Sequence, residues 1–115
     1  MNVTIYHNPR CSKSRQTLDL LKEKGVEPQV IEYLKTPPTA SEIADILSKL
    51  GMKPRELMRR KEAEYKEQNL DDPALSDGEL ISAMVETPKL IERPIVLAGA
   101  KAALGRPPEN VLEII

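Results

Sequence analysis

Two apolar stretches, Val3–Tyr6 and Gln29–Tyr33, flank a helical stretch running from Ser12 to Lys24. Val3 and Ile5 alternate with polar neighbours, and Val30, Ile31 and Tyr33 restore apolar character after the helix, which predicts two strands. Leu18, Leu20 and Leu21 give the intervening segment an apolar side. Gly25 stands where helices end in a left-handed residue. Strand, helix and strand at this spacing form a βαβ unit. Such a unit requires parallel pairing and a right-handed crossover. This constraint excludes all-helical and simple antiparallel folds.

Thr36-Pro37-Pro38 interrupts the pattern. Thr39-Ala40-Ser41-Glu42 then reads as a capping box. Ile43, Ile46, Leu47 and Leu50 follow at helical spacing, and Gly51 closes that helix. Pro54 opens a further helix through Leu57 and Met58 to about Gln68. Ser76-Asp77-Gly78-Glu79 is a second capping box, leading into Leu80, Ile81, Met84 and Val85. Strand character returns at Leu90-Ile91 and Ile95–Leu97. Gly99 turns the chain toward Lys101–Leu104, and Pro107-Pro108 starts a last helix. The expected class is α/β with a mixed sheet: βαβ, a helical insertion at about 39–86, then ββα, all in one domain.

With 115 residues, no Phe or Trp and three Tyr, the core must be built from Leu, Ile, Val and Met. A formal charge of −1 gives no electrostatic ground for nucleic-acid binding. No apolar run approaches the ~20 residues of a membrane span, and no secretory leader is visible. The single cysteine cannot form an internal disulfide, and a free thiol suits a reducing compartment. A cytoplasmic monomer without membrane or nucleic-acid partners is expected.

That cysteine, Cys11, lies in the run His7-Asn8-Pro9-Arg10-Cys11-Ser12-Lys13-Ser14-Arg15. The pattern places it where a strand gives way to a helix. Helix starts carry free N–H groups and partial positive charge, which favour thiolate over thiol and attract anions. Burying so many polar neighbours with an inert cysteine would be costly. One pKa unit corresponds to about 1.4 kcal/mol, and an exposed helix end supplies ~0.3–1 kcal/mol. Basic residues and hydroxyl donors such as Ser14 must therefore contribute to any strong activation. Arg15 lies at i+4 from Cys11 on the same helix side. His7, on the strand side, suits a hydrogen bond that orders the loop better than direct proton transfer. With one His and one Cys, a zinc site is not expected.

Arginine forks suit tetrahedral oxyanions. Arg93 and Arg106 each precede a proline, outside any solvated charged helix face. Arg59 and Arg60 sit in the charged run Arg55–Lys61, where plain solvation is the simpler reading. Cys11 and Ser14 form Cys-x-x-Ser, a dithiol motif without its second thiol. Any adduct on Cys11 must be resolved by an external thiol.

The segments 7–15, Tyr33–Thr39, Arg55–Lys61, Glu92-Arg93-Pro94-Ile95-Val96 and Gly105-Arg106-Pro107 resemble the glutaredoxin-coupled arsenate reductases of the ArsC type, in their housekeeping-like branch. The resemblance runs in order through nearly the whole chain. It implies a thioredoxin-like fold, with Cys11 as nucleophile and Arg59, Arg93 and Arg106 holding the oxyanion. It further implies that His7, Ser14 and Arg15 tune the thiolate and that Pro94 is cis. Arsenate would be the substrate, glutathione a co-substrate and glutaredoxin the protein partner, with no bound cofactor. Two other functions fit the same residues: a thiol-dependent reductase for another substrate, and a non-enzymatic regulatory protein that binds partners through its helical insertion.

Overall fold

The computed structural model describes residues 2–115. The chain divides into two compact units, 2–36 with Arg93–Ile115, and Pro37–Glu92. The first unit holds the sheet and the second is helical. The second is wider at both ends than the insertion expected at 39–86.

In the first unit, strand β1 (Val3–His7) leads into helix α1 (Ser12–Glu23) and strand β2 (Gln29–Glu32). The chain returns later as β3 (Ile95–Ala98) and β4 (Lys101–Leu104), followed by 3-10 turns at Pro108–Glu113. The sheet order is β2-β1-β3-β4. β1 pairs parallel with β2 and antiparallel with β3, and β3 pairs antiparallel with β4. This is the mixed sheet expected, with the βαβ crossover carried by α1. Ile5, Leu21, Val96 and Val111 are fully buried together, with Val3 and Ala98 beside them. One side of the sheet, α1 and the terminal turns thus share a small aliphatic core.

α1 ends as its sequence requires. Gly25 has φ +77°, its N–H donates to Lys22 C=O at 3.0 Å, and the Val26 N–H donates to Leu21 C=O at 3.0 Å. These two bonds form a Schellman cap, and Val26 packs on the core just past it. The closing segment differs from the α-helix expected there. Its bonds, such as Asn110 N–H to Pro107 C=O at 3.1 Å, span three residues, and two prolines at its start remove donors from the first turn.

The second unit contains α2 (Ala40–Leu50), α3 (Pro54–Leu57), α4 (Ala63–Glu67) and α5 (Asp77–Glu86), then a 3-10 turn at Pro88–Leu90. Both capping boxes form, at Thr39/Glu42 and Ser76/Glu79. The single helix expected from Pro54 to about Gln68 is instead two short ones. Met58 leaves helical geometry at φ −88°, ψ 144° and forms an isolated antiparallel bridge with Ile91. The Arg59 N–H donates to Leu90 C=O at 2.7 Å and the Glu92 N–H to Leu57 C=O at 2.8 Å. Tertiary pairing of these backbones outweighs the local helical preference. It also accounts for the strand character at Leu90-Ile91, which forms one bridge rather than a strand. Among the described residues, no helix is long and apolar enough to cross a membrane.

Candidate active site

Sheet register decides where two of the arginines stand. Ile95 pairs with both Tyr6 of β1 and Leu104 of β4. The Gly105 N–H donates to the Pro94 carbonyl at 3.0 Å, carrying the β3–β4 pairing one step past the ladder. Arg93 and Arg106 are the next residues outward on those two chains. Arg106 Nη1 donates to the Arg93 carbonyl at 3.2 Å. The Arg93–Pro94 and Arg106–Pro107 peptide bonds are both cis. The second of these was not anticipated.

Cys11 is the N-cap residue of α1, in extended geometry at φ −92°, ψ 123°. Asn8 shapes the turn before it. Its carbonyl accepts the Cys11 N–H at 3.0 Å, and its Oδ1 accepts the Arg10 N–H at 3.0 Å. The Arg15 N–H donates to Cys11 C=O at 3.0 Å, closing the first helical turn. The thiol itself makes no cap hydrogen bond, which leaves the N-terminal donors available to a thiolate.

The Cys11 pKa lies below its ordinary value. Burial is the largest single influence and pushes it up. Four opposing influences outweigh burial: the Ser14 N–H, the Arg93 charge, the Lys13 N–H and the Arg106 charge, in that order. The donors are thus the second and third N–H groups of α1, and the cations are the two pre-proline arginines. Of the nearby cations, Lys13 acts through its backbone. Arg15 points elsewhere, with Nη1 donating to the Pro9 carbonyl at 2.9 Å, and its charge bears on His7 rather than Cys11.

Behind the loop, Ser14 Oγ lies 2.6 Å from His7 Nδ1 and accepts the Asn8 N–H at 3.0 Å. Ser14 is fully buried and His7 nearly so. Burial, the largest influence, lowers the His7 pKa; Glu32 opposes it, while Arg15 and Lys22 add to it. A neutral imidazole therefore ties the end of β1 to the first turn of α1.

Thr17 was not singled out from sequence. It is fully buried, and its hydroxyl donates to Lys13 C=O at 2.8 Å, with Gly105 C=O also 3.4 Å away. A Cβ on Gly105 would come within 2.8 Å of Pro94 Cγ and would clash with Thr17. Here α1 approaches the chain between the two arginines at glycine distance. The i+3 spacing from Ser14 was the available signal, since it puts both hydroxyls on one helix side.

Arg59 belongs to the helical unit. Nη1 pairs with Glu62 at 2.8 Å and Nε lies 3.9 Å from Glu92. Arg60 is exposed, whereas Arg59 is half-buried. The solvated face thus applies to Arg60, and sequence reading missed both carboxylates on Arg59. Among the described residues, no cluster of three His, Cys, Asp or Glu side chains could hold a metal ion.

Residues 6–114 match the family model described as "ArsC family". The chain belongs to the ArsC family. It is 64% identical over 114 residues to the uncharacterised protein YfgD of Escherichia coli, covering 98% of this chain and 96% of that one. It is 51% identical over 114 residues to an arsenate reductase of Neisseria meningitidis serogroup A, covering 98% of this chain and 97% of the other. The solved structure of an arsenate reductase from Vibrio cholerae superposes with a TM-score of 0.98 at 56% identity, covering 100% of this chain and 98% of that one. With these ArsC neighbours and its mixed sheet, the fold is thioredoxin-like.

Proposed function

We propose that this ArsC-family chain reduces arsenate, with Cys11 as the nucleophile and external thiols as reductant. The observation that carries the reading is the placing of Arg93 and Arg106 side by side at one sheet end, where Gly105 meets Thr17 of the helix that Cys11 caps, with both charges favouring the thiolate. Two guanidinium groups and two helix N–H groups stabilise a thiolate and suit an incoming oxyanion with the same donors. Relatives named as arsenate reductases supply the substrate class.

The Cys11 thiolate attacks arsenic(V); a protonated arsenate oxygen leaves as water and an S–As(V) bond forms. Glutathione replaces a second oxygen, also lost as water. A glutaredoxin thiolate then attacks the glutathione sulfur. The new S–S bond forms as the S–As bond breaks, and its electron pair reduces arsenic to As(III). Water hydrolyses the remaining Cys11–As(III) bond, releasing arsenite and restoring the thiol. A chain with one cysteine cannot resolve the adduct internally, which supports outside thiols.

In this reading Arg93 and Arg106 bind the arsenate oxygens, and Arg59 of the helical unit is a further oxyanion-binding residue on the strength of the family resemblance alone. Ser14 offers its N–H to the thiolate. His7 holds Ser14 in place, and Arg15 steadies the loop through Pro9. No bound cofactor or metal takes part.

The test is arsenite production from arsenate with glutathione and glutaredoxin present. Wild-type protein is expected to turn over and Cys11→Ser to be inactive. Absence of turnover by wild type, with a reactive thiol, would favour another substrate. Cellular phenotypes that survive Cys11→Ser would favour a regulatory protein.

A further inference from the structure

Arg59 is already engaged by carboxylates. Glu62 Oε1 sits 2.8 Å from Nη1, and Glu92 Oε1 lies 3.9 Å from Nε. Glu62 also faces Lys89 at 3.6 Å, and Lys89 pairs with Glu64 at 3.2 Å. The charges alternate along Glu92, Arg59, Glu62, Lys89 and Glu64. This is not a fully solvated surface pair. The Arg59 and Glu62 side chains are 28% and 19% exposed, against 79% and 43% for the surface pair Lys35–Glu32.

A carboxylate and a tetrahedral oxyanion use the same guanidinium N–H groups. We propose that Glu62 is an internal competitor for the oxyanion at Arg59, setting how tightly that arginine takes an anion. The inference rests on the reading of Arg59 as an anion-binding residue. An arriving oxyanion displaces Glu62 from Nη1, and Lys89 gives the displaced carboxylate a second cation. Every oxyanion meets the same competitor, so Glu62 lowers the occupancy of Arg59 by any of them without ranking one above another.

The sign of the effect follows from what else holds Arg59. Its N–H donates to Leu90 C=O at 2.7 Å, the Glu92 N–H donates to Leu57 C=O at 2.8 Å, and Met58 bridges Ile91. Glu92 remains beside Nε. Removing the Glu62 charge therefore frees Nη1 without releasing the segment that carries the arginine. Glu62 makes no helix-capping hydrogen bond to α4, so the substitution leaves that helix start intact.

The experiment is calorimetric titration of the full chain with phosphate and, separately, arsenate, which needs no turnover. Glu62→Gln and Glu62→Ala are expected to bind both anions about 1.4-fold to fivefold more tightly than wild type, the span of a partly exposed ion pair. Arg59→Ala is expected to bind them more weakly, and Glu64→Gln to match wild type. If Arg59→Ala weakens binding but the Glu62 variants do not tighten it, the competitor role is overturned and the Arg59 assignment stands. Equal tightening by Glu64→Gln overturns it too, as an effect of net charge. Unchanged affinity in Arg59→Ala removes the Arg59 assignment itself, and the inference with it.

Discussion

The Ser14 hydroxyl stands 2.6 Å from Nδ1 of His7, inside the protein and beneath the Cys11 turn. Ser14 Oγ also accepts the Asn8 N–H at 3.0 Å. Ser14→Ala leaves both partners unsatisfied, and an orphaned buried polar group costs about 1–3 kcal/mol. Urea unfolding is expected to show a loss of that size. The Ser14 N–H is retained in this variant, so Cys11 is expected to keep that contribution to its low pKa.

His7 also sets a pH dependence. Its folded pKa is lowered, so between that value and the ordinary ~6.5 the unfolded chain binds more protons. Stability then rises with pH. It is expected to be complete above the ordinary value and to decline as pH falls below it, levelling only beneath the folded pKa. Thermal melts across pH 5 to 8 should show this decline, and His7→Gln should flatten it. An equal slope in the variant would assign the decline to carboxylates instead.

Arg93 and Arg106 reach Cys11 through charge, Arg93 more strongly. Each Arg→Ala change is expected to raise the Cys11 pKa, with Arg93→Ala giving the larger rise. Thiolate absorbance titration measures this directly. Arg106 is exposed, and surface substitutions usually stay within about 0.5 kcal/mol, so its loss should barely move the melting temperature. Large destabilisation with an unshifted pKa would mark these arginines as structural.

The helical unit offers a contrast. The Thr39 and Ser76 side chains cap α2 and α5. Replacing either with Ala is expected to cost about 0.5–2 kcal/mol, read from urea unfolding. The alkylation rate of Cys11 in the folded protein should stay at the wild-type level.

Both capping boxes and the Gly25 stop were legible because each rests on contacts within a few residues, and the βαβ unit because its strand, helix and strand follow one another at the spacing of a single crossover. The split at Met58 was not, since it depends on pairing with Ile91 across more than thirty residues. At the site, Cys11 at a helix start was readable from the strand–loop–helix pattern. Local charge misled for Arg15, whose fork goes to Pro9. The cations that act on Cys11 come from Arg93 and Arg106, brought to one sheet end by β3–β4 register. Thr17 and the carboxylates on Arg59 escaped notice because burial and ion pairing are tertiary facts.

Alkylation of Cys11 by iodoacetamide as a function of pH, with and without arsenate, tests the central claim in one measurement. The account predicts reaction at pH values below the range of an ordinary thiol, carried by the thiolate, and marked protection by arsenate. An ordinary thiol profile that arsenate does not alter would contradict it.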